Sequence, residues 1–362
     1  MFDFIPVIYY TPIYYILMLL VVLRTFLFTQ YNKLNTSRAF VFQRNLGLFI
    51  FIFTLLYMGL RPISGVFVDM TTYNKIFERY ASGGQYDRSG DLLFHVFTKI
   101  SSGIMTANFY FFICSVLYVV PLYMVCKKWF SKNWVYAFLL LITAFTFWNY
   151  GTNGIRNGMA GSIFLLAISR DKKVYQLLLI ITAVSFHQSM ILPAVAFLVS
   201  SFINKPKIMI AIWFVSILLS LVAGGLFEVF FAGLGFDDDR VSYLTDKVVE
   251  GRFSSTGFRW DFLLYSATAI FAGWYFIVKK KYYDKTYFIL FNTYLISNAF
   301  WILVIRANFS NRFAYLSWFM MSLVVIYPLL KSKLFATQLQ LIGIIVLTYF
   351  SFTFLMNFLL LL

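Results

Sequence analysis

Apolar runs close to membrane-spanning length follow one another along the whole chain, set apart by short polar breaks, and nothing else constrains the fold as strongly. They fall at about residues 9–29, 45–60, 104–126, 134–149, 157–169, 174–187, 189–203, 208–227, 261–278, 286–305, 312–330 and 335–360. With 61% hydrophobic and only 12% charged residues over 362 positions, the chain carries more apolar surface than a soluble interior of this size would enclose. The sequence therefore predicts an all-α polytopic membrane protein of about 12 transmembrane helices, organised as one transmembrane domain over 1–362. Several runs fall short of the roughly 20 residues of a straight span, which leaves room for one or two half-spans or re-entrant segments. The opening MFDFIPVIYY has neither a basic n-region nor a small-residue cleavage site and reads as the start of a retained first span. Cys114 and Cys126 lie in one run, roughly 18 Å apart along a helix, too far to bridge.

The formal charge of +16 does not point to nucleic acid, because the basic residues form no patch with interleaved aromatics but sit between the apolar runs. Alternate breaks collect them. One set holds Arg24, Lys33, Arg38, Arg44, Lys127, Lys128, Lys132, Arg170, Lys172, Lys173, Lys205, Lys207, Lys279, Lys280, Lys281, Lys285, Lys331 and Lys333, against only Asp171 and Asp284. The other set is formally neutral. By the positive-inside rule the first set is cytoplasmic, which puts both termini outside.

The kind of cation also divides. The cytoplasmic set is mostly lysine, whereas the outer set has Arg61, Arg79, Arg88, Arg156, Arg240, Arg252, Arg259, Arg306 and Arg312 against three lysines. Topology does not ask for arginine there, but planar, two-pronged recognition of phosphate or carboxylate does. Two long outer segments stand out. Residues 61–103 place Tyr73, Ile76, Phe77 and Tyr80, and later Leu92, Leu93, Val96 and Phe97, at helical spacing, which predicts two short amphipathic helices along the interface acting as a lid or loop. Residues 228–260 hold Asp237, Asp238, Asp239 and the GRFSSTGFRWD stretch.

The chemistry is expected around WNYGTNGIRNGMAG. Arg156 lies there beside Asn149, Asn153 and Asn157 and among Gly151, Gly154 and Gly158, at a predicted helix start, where backbone amides and a guanidinium together form an anion site. A lipid-facing arginine would have apolar neighbours instead. One helical pair later comes His187, followed by Gln188 and Ser189, on the same membrane face. An imidazole suits proton transfer, although a histidine at a helix end is equally often a satisfied cap. His95 reads as surface or packing, and two histidines without an acid or cysteine set make no metal site. Asp69, in an uncharged stretch, is a candidate buried partner of an arginine or a general base, whereas Asp91 reads as an N-terminal helix charge. Arg306 and Arg312 bracket a short outer turn, and Arg259 with Asp261 opens the ninth run. Tyr73, Trp148, Tyr150 and Trp260 could stack on sugars, though interfacial aromatic belts account for such rings more often.

In order and spacing, Arg61-Pro62 with Ser64-Gly65, Asp69, Tyr73 and Phe77, then Asn153-Gly154-Ile155-Arg156-Asn157, Phe186-His187-Gln188-Ser189 and Asn311-Arg312-Phe313-Ala314, resemble the EpsG-type branch of bacterial exopolysaccharide and O-antigen repeat-unit polymerases (Wzy-like). The resemblance implies a GT-C-like fold in the bacterial inner membrane and a glycosyltransferase that joins oligosaccharides carried on undecaprenyl diphosphate at the outer face. Flippase and chain-length regulator proteins are the implied partners, and no cofactor is implied. For that reaction catalysis is assigned to Arg156 with Asp69 or His187 as base, and substrate binding to Arg61, Tyr73, Asn153, Gln188, Asn311 and Arg312 and, from its outer position alone, to Arg259. Where the family pattern would have a glutamate the chain has Asp91. A ligase working from the same carrier, or a flippase for lipid-linked oligosaccharide, are the other readings. A transporter would hold its charges at mid-depth rather than at outer ends.

Overall fold

A computed structural model describes residues 4–33, 36–86, 90–233, 257–307 and 310–359. Arg88, Arg240, Arg252 and Asp237 to Asp239, and with them most of the 228–260 segment, lie outside the described residues. Within the described residues the secondary structure is helical, without strands. Polar residues ahead of the apolar runs start the helices. Thr36 accepts the Ala39 N–H, Thr106 the Phe109 N–H and Asp284 the Tyr287 N–H, each satisfying an amide that the first turn leaves open.

Eight helices among the described residues are long and apolar enough to cross a membrane, and four more apolar helices are shorter. The expected count of about 12 spans is not confirmed by these lengths. The run at 104–126 continues almost unbroken into the next over Ala107–Ile142. The runs at 157–169 and 174–187 form helices Ile155–Ile168 and Lys173–Phe186, each of 14 residues. At about 1.5 Å per residue these reach roughly 21 Å, short of a ~30 Å hydrocarbon core.

The chain packs as two compact units, 1–187 with 329–362, and 188–328. In the first, α1 (Tyr10–Tyr31) lies along the last helix, Gln338–Leu359, and α2 (Ser37–Gly59) packs on α5 (Ala107–Phe130) and α6 (Trp134–Ile142). From α5 the contacts run outward through α8 (Ile155–Ile168), α9 (Lys173–Phe186) and α4 (Leu92–Ile104) to α3 (Asp69–Ala81). The two sets of breaks separate to opposite ends of this unit. At one end Lys128 pairs with Asp171, Lys132 lies over the Phe40 ring and Gln340 donates to the Gln30 carbonyl. At the other, Arg61 reaches Thr152, Asn153 reaches Asp69, and Asp91 reaches Arg156 and His187.

The two outer amphipathic helices form at α3 and α4. On α3 the buried face is the expected one, with Tyr73, Phe77 and Tyr80. On α4 the buried face is Phe94, His95, Thr98 and Ser101, while Leu92, Ile100 and Ile104 are 53%, 60% and 74% exposed. Of the four apolar residues at helical spacing, Leu92 is exposed, Leu93 and Val96 are half-buried, and Phe97 packs on the rings of Tyr110 and Phe186. In a bilayer the outside of a helix is as apolar as the core, and polar side chains turn inward to find partners. His95 finds the Tyr80 hydroxyl at 3.0 Å.

In the second unit Asn298, on the helix Lys285–Leu303, is a buried polar hub. Its Oδ1 accepts Trp213 Nε1 at 2.7 Å, and its Nδ2 donates to Ser266 and Ser317 at 3.2 and 2.9 Å. Trp318 Nε1 adds a further bond to Ser266 Oγ at 2.7 Å. At membrane depth, where water cannot substitute, such pairings hold helices together.

Candidate active site around Asp91

The helical elbow between α7 (Phe147–Thr152) and α8 brings Arg156 into position. Gly158 permits it, because a Cβ there would stand 2.3 Å from the backbone oxygen of Tyr150. The glycines around Arg156 thus serve close packing of the elbow. No side chain caps α8, whose N-cap is Gly154, so Arg156 sits in a helix first turn with open amide geometry.

From there Arg156 Nη1 donates to Asp91 Oδ2 at 2.8 Å, and His187 Nδ1 lies 3.2 Å from the other oxygen, Oδ1. The expected neighbourhood of Arg156 and His187 is therefore real, and a carboxylate joins them. The side chain of Asp91 is 5% exposed, that of His187 11% and that of Arg156 25%. The guanidinium carbon lies 5.7 Å from the Tyr73 ring and 5.6 Å from that of Phe94. Burial pushes the Tyr73 hydroxyl up from its usual range, with the Arg156 charge pulling against it.

Asp91 is the residue that sequence reasoning set aside. It does occupy the N-cap of α4, but its side chain makes no capping bond and turns instead to Arg156 and His187. The available signal was positional: a carboxylate at the place where the resembled family has one, one methylene shorter.

Asp69 opens α3 and its carboxylate forms no ion pair among the described residues, so it is not the buried partner of an arginine. Its backbone N–H is held by Asn153 Oδ1 at 2.9 Å, and it stands one turn from Tyr73 on α3. The residue before it, Val68, has φ 41°, an unfavourable conformation for a β-branched side chain. This fixes the start of α3 against the α7–α8 elbow.

Arg61 is 3% exposed and its fork is already committed, with Nη1 donating to the Met58 carbonyl and Nη2 to that of Thr152 at 3.3 Å. It ties the end of α2 to the end of α7, and burial lowers its pKa to about 10. The expectation that Arg61 grips substrate thus meets a guanidinium occupied by helix-end carbonyls. Trp148 and Tyr150 are likewise core rings rather than exposed platforms. Trp148 stacks on Tyr14 at 4.2 Å and donates to Thr11.

Gln188, Arg259, Asn311 and Arg312 belong to the second unit. There Arg259 holds Asp261 with both prongs, at 2.9 and 2.6 Å, and lies 3.6 Å from the Phe262 ring centre. Asn311 and Arg312 stand in the first turn of the helix Ser310–Lys331. Among the described residues no group of three or more His, Cys, Asp or Glu is placed to hold a metal.

Fold and cluster together define a class: an all-helical, multi-pass membrane protein with an Arg-Asp-His group, its acid buried, where its short helices end. Residues 44–361 match the model of the EpsG family, and the chain belongs to that family. Membership suggests a polysaccharide-polymerase type of function. No curated protein and no solved structure gives a match.

Proposed function

We propose that the protein polymerises polysaccharide by moving a growing glycan from undecaprenyl diphosphate onto the non-reducing-end sugar of a second lipid-linked repeat unit, at the outer face of a bacterial inner membrane. The observation that carries this reading is the Asp91 carboxylate, bound on one oxygen by Arg156 and on the other by His187.

An acceptor hydroxyl attacks the anomeric carbon, the new glycosidic bond forms, the bond to the diphosphate oxygen breaks, and the hydroxyl proton goes to a base. With His187 Nδ1–H turned to Asp91, its Nε2 is the proton acceptor, and the carboxylate steadies the imidazolium that results. That choice places His187 ahead of Asp69 as base. As His187 gains charge it draws on Asp91, which loosens the hold on Arg156 just as the departing diphosphate needs a cation. The open first turn of α8 adds amide donors to the same end. Asn153 and Tyr73 border the group and supply contacts to sugar hydroxyls. Arg312, Asn311 and Gln188 enter the proposal through the resemblance alone, and Arg259 as an outer arginine of the sequence, as further diphosphate and sugar ligands.

Incubating the purified protein with a lipid-linked repeat unit tests the reading. A ladder of products a repeat apart is expected. Lipid moved across a bilayer without a ladder identifies a transporter, and glycan transferred once to a different acceptor identifies a ligase.

A further inference from the structure

At the end of the first unit remote from Asp91, α1 and α2 enclose a groove of about 850 Å³ with Arg24, Arg38, Asn45, Phe28, Phe42 and Phe49 in its walls. Arg24 stands seven residues before the end of α1, roughly 10 Å along the helix, between the exposed Leu20, Leu23 and Leu27. A guanidinium at that depth beside lipid-facing leucines is costly without a counter-charge. Among the described residues neither Arg24 nor Arg38 forms an ion pair, and Asn45 makes no hydrogen bond. The apolar wall is ordered: Phe28 and Phe42 stack at 3.8 Å, and Arg24 lies 6.0 Å from the Phe42 ring. Two cations and an amide interleaved with aromatic rings fit an anion that carries a hydrocarbon chain.

We infer that this groove binds an anionic phospholipid, its phosphate held between Arg24 and Arg38 and an acyl chain lying along Phe28, Phe42 and Phe49. The lining has no acid to receive an ammonium, so phosphatidylglycerol is preferred to phosphatidylethanolamine. The end concerned carries the basic loops, which by the positive-inside rule is where anionic headgroups attract them. The inference stands apart from the glycan chemistry proposed above.

Native mass spectrometry of the full chain in detergent, titrated with phosphatidylglycerol, phosphatidylethanolamine or inorganic phosphate, tests it. The wild type retains phosphatidylglycerol selectively. The Arg24→Gln/Arg38→Gln double variant loses roughly tenfold or more of that occupancy, in line with about 1 kcal/mol per basic residue at a lipid surface. Arg44→Gln, on the same helix but outside the groove, retains it. Because the double variant alters topogenic charge, Arg24→Lys/Arg38→Lys is measured beside it; it keeps the charge and gives an intermediate loss. Equal phosphatidylglycerol and phosphatidylethanolamine binding by the wild type, undiminished binding in the Gln double variant, or equal loss in Arg44→Gln overturns the inference. Displacement of the lipid by millimolar phosphate also overturns it, in favour of a site for a soluble anion.

Discussion

His187 presents Nδ1 to Asp91 at 3.2 Å, so the imidazole is oriented by a carboxylate whose second oxygen is already held by Arg156. A guanidinium and an imidazole share one buried acid, and the proposed chemistry depends on that sharing.

If the pair acts as a unit, Asp91→Asn and His187→Ala each lower the polymerisation rate by about 10² to 10⁴-fold, the usual range for a positioned base. The double variant is no slower than the worse single one, because groups that act together do not lose additively. Product ladders timed with purified variants measure this, and additive losses would separate the two residues.

Arg156→Lys keeps the charge and loses the fork. Polymer should vanish while protein level and membrane insertion stay as in the wild type, because a lysine cannot hold Asp91 and a diphosphate at once. The same substitution at Arg312 tests the residue brought in by resemblance. Polymer of normal length from either variant removes that residue from the site.

Arg61→Ala acts on stability. It strips donors from the Met58 and Thr152 carbonyls and costs about 1 to 3 kcal/mol. Unfolding in detergent should move down accordingly, while substrate affinity measured below the transition stays unchanged. A selective loss of substrate affinity would restore Arg61 to the binding site.

Gly158→Ala forces a methyl against the Tyr150 carbonyl, which is backbone and cannot swing aside. The α7–α8 elbow must shift, at a cost of about 1 to 3 kcal/mol, and Arg156 shifts with it. Melting temperature and ladder formation are expected to fall together. Gly225→Ala, where nothing stands within 4 Å of the new methyl, is the control for an open helical glycine.

Arg156 and His187 were legible in the sequence because an isolated ionisable group beside small polar residues has few bland explanations in an apolar chain. Asp91 was not, since a carboxylate ahead of a helical run looks like a cap until its side chain is seen to turn away. The same gap hid the role of Arg61, whose fork is filled by carbonyls that carry no sequence signal. In the first unit two of the basic breaks meet at the Lys128–Asp171 pair. Periodicity located α4 without telling which residues turn inward, because apolar spacing marks an inward face only where the surroundings are water.

The 14-residue helices α8 and α9 are joined at the end where Lys128 meets Asp171, and each is roughly 9 Å shorter than a full hydrocarbon crossing. If the joined end lies at one membrane surface, Arg156 and His187, at the other tips, fall below the far one, with the apolar edge of α4 exposed at Leu92, Ile100 and Ile104. A head group tethered to a long isoprenoid tail could slip sideways into that recess without being lifted from the bilayer, whereas a water-borne sugar nucleotide would have to descend to it.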